Sequence, residues 1–254
     1  MTLEISTPGR MGTAFSVLFL ITARGGSRGV PGKNLRTLGG LSLVAIKAIA
    51  ARGSRYCTRL IISTDSEEIA LEAKRYGAEV PFMRPAELAS DTAQSADVIE
   101  HAMDQLEARG EHYDAIMLLE PSSPFTRAED FDAAVELMAR TNAQAVVGMR
   151  RMEVNSVFVG SMDEQGCIGE IVRKMESLRS VLRQDRRPEY TMNGALYLFR
   201  WEYFRTHKNI YHDEHGVYGY VMPDALSLEI DEMKDLHLAE FLVDKGYIDL
   251  ANWR

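Results

Sequence analysis

The stretch VLFLITARGGSRGVPGKN, Val17 to Asn34, decides the fold. Its first six residues, Val17 to Thr22, are almost wholly apolar and rich in strand formers, the pattern of a strand buried on both faces. Four glycines follow at once, Gly25, Gly26, Gly29 and Gly32. They let the backbone turn tightly and present its N–H groups to an anion. Arg24, Arg28 and Lys33 place three cations around the same turn. Three like charges so close repel each other unless an anion or carboxylates neutralise them. A buried strand that runs into a glycine-rich, cationic turn is therefore chemistry suited to phosphate. Two familiar phosphate motifs do not fit. Walker A requires G-x-x-x-x-G-K-[ST], but Ser27 stands at its first glycine and Asn34 at its hydroxyl. The dinucleotide fingerprint G-x-G-x-x-G finds no matching trio among the four glycines.

Outward from this turn, strand-like and helix-like runs alternate. A helix is expected near Leu41–Ala51 and a strand over Arg59–Ser63. Ser66 caps a helix running to about Tyr76, with Glu67 and Glu68 in its first turn and Gly77 as its stop. Glu79–Met83 reads as a third strand and Ala93–Arg109 as a helix, with Asp91 as its cap. Ala115–Glu120 reads as strand, Ala128–Arg140 as helix and Ala145–Met149 as strand. This rhythm specifies an α/β fold, a Rossmann-like, mostly parallel sheet with helices on both faces. Ligands of such sheets sit at the carboxyl ends of the strands. After Arg150 the rhythm breaks. Residues 150–190 look like a β-prone insertion packing on something else, and Arg179–Tyr190 reads as a polar loop. Strands return at Gly194–Phe199 and Tyr218–Met222, and Met233–Lys245 is a final helix. Residues 1–14 carry no periodicity and read as a frayed extension, leaving 15–254 as one domain.

Composition narrows the function. The chain has 254 residues, 46% hydrophobic and 26% charged, which is the make-up of a folded globular protein. Its 29 basic and 37 acidic residues leave a net charge of −8, so it lacks the basic surface that nucleic acid demands. Small anionic ligands stay open, because a few placed cations can make a local positive site. The longest apolar run, Phe15–Ala23, is far short of the ~20 residues a membrane span requires. Two distant cysteines, Cys57 and Cys167, fit free thiols in a reducing cytoplasm rather than a disulfide framework. The six histidines form no spaced pair with carboxylates that would suggest a transition-metal site.

Six segments carry a more specific signal. ITARGGSRGVPGKN (21–34) resembles the nucleotide-binding signature of the sugar nucleotidyltransferases, and among them of the acylneuraminate cytidylyltransferase family. IISTDSEEIALEAKRYGAEV (61–80) resembles that family's second strand and helix, and RPAELASDTAQS (84–95) its segment around the cytidine. LLEPSSPF (118–125) resembles its L-x-Q-P-T-S-P-L sugar-side loop, MNGALYLF (192–199) its N-G-A-x-Y strand, and LEIDEMKDL (228–236) its I-D-I-D-x-x-x-D-L ending. The segments come in family order over nearly the whole chain. The ARGGS turn and the texture from Arg183-Gln184 through Tyr190, Met192 and Asn193 look closest to the legionaminic acid branch.

The resemblance implies a reaction and its residues. The anomeric hydroxyl of a nine-carbon α-keto sugar acid of sialic or legionaminic type would attack the α-phosphate of CTP, giving a CMP-sugar and pyrophosphate. Arg24 and Lys33 would neutralise the triphosphate, while Ser27 and the amides of glycines such as Gly25 and Gly26 cradle it, with Arg28 as a further cation and Ala23 as a further nucleotide-binding position. Asn34, Arg84, Ala93 and Ser95 match the positions that hold base and ribose. Arg84 would otherwise pair with Glu87 on the surface. Glu120, Ser122, Tyr190 and Asn193 match the sugar side, and Arg183, Arg186 and Arg187 are candidates for the keto acid's carboxylate. Asp231 and Glu229 would hold Mg²⁺; an i, i+2 spacing on an extended segment turns both carboxylates to one side. Asp231 would otherwise cap the final helix. The resemblance also implies a cytoplasmic homodimer, with residues 150–190 as the dimerisation arm. The chain departs from the pattern at three places. Glu120 replaces a glutamine, Glu229 replaces an aspartate, and Thr126-Arg127 reverses the usual order. An ionised carboxylate at 120 can only accept hydrogen bonds, where the family's amide can also donate. A synthetase for the eight-carbon acid Kdo and a catalytically silent nucleotide-sugar-binding protein are the alternatives.

Overall fold

The computed structural model describes residues 15–176 and 188–253. The expectations for residues 1–14 and for Arg183, Arg186 and Arg187 lie outside the described residues. Six strands form one sheet: β1 (Val17–Thr22), β4 (Cys57–Ser63), β5 (Ala115–Leu119), β6 (Ala145–Arg151), β7 (Tyr190–Arg200) and β8 (Val217–Val221). The remaining two, β2 (Thr37–Leu38) and β3 (Leu41–Ser42), make a small hairpin. The sheet order is β4-β1-β5-β7-β6-β8. β7 alone among these six runs against the others.

Both faces of the sheet are covered, and β1 shows why. Its side chains alternate, as successive strand residues must. Val17, Phe19 and Ile21 enter one core, and Leu18 and Leu20 enter the other. The first core is closed by α1 (Leu43–Gly53), α2 (Glu67–Arg75), α4 (Ala128–Thr141) and α7 (Met233–Asp244). The second is closed by α3 (Ser95–Glu107) and α6 (Trp201–His207). The three adjacent parallel strands β4, β1 and β5 place the loops after Ser63, Thr22 and Leu119 at one end of the sheet. With β4 on one flank and β5 on the other, β1 opens a crevice at the carboxyl ends, where such sheets bind ligands.

Several local expectations change. Glu79–Met83 is not a strand: only Glu79 bridges to Ile61, and a segment holding Pro81 and ending at Pro85 cannot sustain a ladder. Leu41 and Ser42 belong to the hairpin, so α1 starts at Leu43, with the Ser42 hydroxyl accepting from the Ala45 N–H. The insertion is not β-rich where it is described. β6 and β7 extend as a ribbon that pairs Arg150 with Thr191 and Arg151 with Tyr190. Beyond that ribbon come a 3-10 turn at Ser156–Phe158 and α5 (Gly169–Glu176), with no strand in residues 152–176.

Candidate active site

The glycine-rich loop leaves β1 and ends in a 3-10 turn, Lys33–Leu35, entered through Gly32 in the left-handed region. Asn34 is buried and donates its amide to the Arg24 carbonyl at 2.9 Å, tying the two ends of the loop together. The three cations are held from opposite sides. The Arg24 guanidinium pairs with Asp91 at 2.8 Å, and Arg28 also pairs with Asp91. Lys33 Nζ donates to the Ile230 carbonyl at 2.7 Å and reaches Asp231 at 3.3 Å. The carboxylates that the crowded charges require are thus Asp91 and Asp231. Asp91 is not a helix cap, because α3 begins only at Ser95, behind Gln94. Asp231 is not one either. Glu232 caps α7 in a reciprocal box with Asp235, which leaves the Asp231 carboxylate to Lys33.

The close approach of Gly29 to Asp231 closes this side of the site. A Cβ on Gly29 would lie 2.0 Å from the Asp231 carbonyl oxygen, so only glycine fits. The geometry is similar at Gly194, whose φ is +65°; a Cβ there would meet a Glu229 carboxylate oxygen at 2.6 Å. The pairing of β6 with β7 slips nearby, between Val147 and Met149. Such irregularities recur beside functional sites.

Three cavities meet at Glu120. The first, about 340 Å³, is lined by Ala23, Arg24, Ser27, Arg28, Lys33, Asn34, Ser122, Glu229 and Asp231, with Thr22, Gly29, Glu120 and Pro121. The second, about 240 Å³, shares Thr22, Arg24 and Glu120 and adds Arg84, Ala93, Ser95, Ser90 and Asp91. The third, about 260 Å³, shares Ser95, Leu118 and Glu120 with the second and is walled by Tyr197, Phe199, Phe204, Ile210 and Tyr211. One continuous site therefore passes from a cationic turn, over polar walls, to an apolar pocket.

Its electrostatics are uneven. Burial and the nearby Glu229 push the Glu120 carboxyl above its ordinary range, against the pull of Lys33 and Lys47. Burial and Asp231 do the same to Glu229, opposed by Lys33 and Arg150. Arg84 is buried, donates to the Ser63 hydroxyl at 3.0 Å and carbonyl at 2.6 Å, and has no bond to Glu87. Burial lowers it to about 10. The oxygen donors of Glu229 and Asp231, two neighbouring carboxylates beside Lys33, suit a hard divalent cation that takes its other ligands from water or phosphate. Among the described residues, no group of three or more His, Cys, Asp or Glu is placed to hold a metal by itself.

Some expected residues stand elsewhere. Gly25 is not on the cavity wall; its N–H donates to the Asp65 carboxylate at 2.9 Å. Gly26 is exposed and does not line the first cavity. Asn193 is buried, with its amide donating to Ser227 Oγ at 3.0 Å and its oxygen accepting from the Ala195 N–H at 3.2 Å. It fastens β7 and does not reach the cavity. Tyr190 starts β7 on the ribbon beside Arg151, exposed and apart from all three cavities. Thr22 carries no motif signal in the sequence but lines both the first and second cavities, at the carboxyl end of the opening strand where a ligand is expected. Lys47, the charged residue in the otherwise apolar run Leu43–Ala51 of α1, carries no motif signal either.

Comparison with known proteins agrees with this geometry. CMP-N,N'-diacetyllegionaminic acid synthase of Legionella pneumophila is 32% identical over 197 residues, covering 77% of this chain and 82% of the relative. The protein of the same name from Campylobacter jejuni is 31% identical over 231 residues, covering 89% and 94%. The structure of CMP:2-keto-3-deoxy-manno-octonic acid synthetase complexed with CTP shares the fold, with a TM-score of 0.65 at 12% identity, over 91% of this chain and 99% of that one. The family model for cytidylyltransferases matches residues 18–245, from the opening strand to just past the last α-helix, and the chain belongs to the cytidylyltransferase family.

Proposed function

We propose that this protein joins CMP from CTP to the anomeric hydroxyl of a nine-carbon α-keto sugar acid of the legionaminic or sialic type, with release of pyrophosphate. One observation carries the reading: Arg24 and Lys33 share a single cavity wall with Glu229 and Asp231, and that cavity runs past Glu120 into a polar and then an apolar pocket. The triphosphate occupies the first cavity, where Arg24, Arg28 and Lys33 offset its charge and Ser27 donates to it. Base and ribose lie against Arg84, Ala93 and Ser95. The sugar acid enters from the Glu120 and Ser122 side. The methyl groups of acylated amines suit the apolar wall of Tyr197, Phe204 and Tyr211. The hydroxyl oxygen forms a bond to the α-phosphorus, the bond to the pyrophosphate oxygen breaks, and the hydroxyl proton passes to solvent or a nearby base. Catalysis of this kind is mainly positioning and charge neutralisation. Lys33 follows the charge that grows on the departing pyrophosphate.

Asp231 and Glu229 would hold Mg²⁺, which supplies Lewis-acid charge at the triphosphate when bound. The legionaminic preference draws on the two relatives of that name. A homodimer built on the 150–190 arm fits the exposed apolar side chains of Val154, Phe158, Val159, Met162, Val172 and Met175. Among the described residues, no helix is long and apolar enough to cross a membrane. A cytoplasmic place for the reaction is part of the proposal and draws on the two free cysteines, Cys57 and Cys167, which suit a reducing compartment.

The test is pyrophosphate release from protein, CTP and Mg²⁺ with a panel of diacetylated and monoacetylated nonulosonic acids, and with Kdo. Turnover of a nonulosonic acid is expected. Turnover of Kdo alone would shift the substrate to eight carbons. Silence across the panel with CTP still bound would leave a nucleotide-binding protein without this activity.

A further inference from the structure

Lys47 is fully buried in α1, beneath the turn that follows β5. Its Nζ donates to the Ser123 carbonyl at 2.6 Å and to the Thr126 hydroxyl at 2.9 Å. The Nζ also lies over the face of Phe131, 5.8 Å from the ring centre. Desolvation lowers this amine to about 7, against the supporting charges of Glu120 and Asp130. Asp130, on α4, is already engaged by the Arg127 N–H at 2.8 Å and the Tyr220 hydroxyl at 2.9 Å. Glu120 is different. Among the described residues its carboxylate has no hydrogen bond or ion pair, and its countercharges are Lys33 and Lys47. Lys33 is committed to Asp231 and the Ile230 carbonyl.

A buried ammonium is expensive to desolvate, so it persists only where partners or function require it. We propose that Lys47 is a positioning residue of the sugar-side wall: it pins the turn at residues 121–126 from beneath and opposes the charge of Glu120, so that Glu120 meets the sugar acid as an acceptor of its hydroxyl and amide donors. The departure from glutamine at position 120 then has a structural counterpart on α1. This assignment rests on the cytidylyltransferase reading for its sugar-facing half.

The test uses Lys47→Met, Glu120→Gln and the double variant of the full chain. In pyrophosphate release, Lys47→Met is expected to raise KM for the sugar acid roughly tenfold or more, the scale of one lost charged hydrogen bond, with KM for CTP little changed. Equal rises in both would overturn a role on the sugar side. Without substrates, Glu120→Gln should raise the melting midpoint more in the Lys47→Met background than in the wild type, because there it removes an uncompensated carboxylate. Equal shifts in the two backgrounds would overturn the pairing. Should Lys47→Met not fold, NMR of ¹³C-lysine-labelled Glu120→Gln decides the same point: the Lys47 titration moves lower, and an unmoved one overturns the proposal. If the wild type turns over no sugar acid, the functional reading falls together with the sugar-facing half, while the midpoint comparison still decides whether Lys47 and Glu120 are paired.

Discussion

Gly29→Ala probes the site through geometry alone. The new methyl carbon would lie 2.0 Å from the Asp231 carbonyl oxygen and 3.1 Å from its carbonyl carbon. Carbon and oxygen rarely approach below about 3 Å, so loop and segment must part by about 1 Å. Gly29 is exposed and the Asp231 side chain is open to solvent, so the separation is absorbed at the surface and leaves the two cores intact. What moves is the alignment of Lys33 with Asp231 across the mouth of the first cavity. A displacement of about 1 Å in a site that works by positioning costs on the order of a hundredfold in rate. Steady-state pyrophosphate release should therefore show kcat/KM down by about that factor, with the melting midpoint close to wild type. Retention of nearly full activity in a folded variant would refute the idea that the apposition of the glycine loop and the Glu229–Asp231 segment organises the site. A collapse of the midpoint alongside activity would show instead that Gly29 serves folding.

Two further outcomes follow from the same charges. Asp91→Asn frees Arg24 and Arg28 from their shared carboxylate, so KM for CTP should fall a few-fold in kinetic assays; a rise would mean that Asp91 is needed to aim Arg24. Glu229 has its carboxyl raised by burial and Asp231. The folded state thus holds that proton more tightly than the unfolded chain, so the associated stability is fully present below the ordinary carboxylate range and is lost as pH rises through the raised value. In metal-free, nucleotide-free protein, Glu229→Gln should melt above wild type near neutrality, and the gap should close in acid. Lys47 acts in the opposite sense: its buried ammonium costs stability below about 7, and that cost is relieved as pH rises from about 7 toward the ordinary lysine value. A gap independent of pH in melting curves would remove Glu229 as its source.

Sequence pattern and site geometry part company at identifiable places. The apolar run Val17–Ile21 has one structural solution, a central strand feeding both cores, and the cationic loop has to follow it at the ligand-binding edge. Helix signals with chemical content held as well: Ser66 caps α2 and accepts from the Ile69 N–H. Local pattern failed where the partner is distant in sequence. Asp91 sits two residues before a plausible helix start, and nothing local says that Arg24 will claim it. Asn193 is in a motif that resembles a sugar contact, yet Met222 and Ser227, in the segment after the edge strand β8, take its amide. The motif's glycine matters in its place, since Gly194 leaves the room in which Glu229 stands. Lys47 is the sharpest case. In LSLVAIKAIAA, residues 41–51, it reads as one charge in an amphipathic helix, but the whole run is apolar around it, so the helix has no wet face to offer. A lysine with no route to water must find acceptors inside the fold. The nearest are the carbonyl and hydroxyl of the turn after β5. That reasoning could have flagged Lys47 as paired, but only the sheet order, which sets β5 beside β1, could say that the pairing lies under the functional wall.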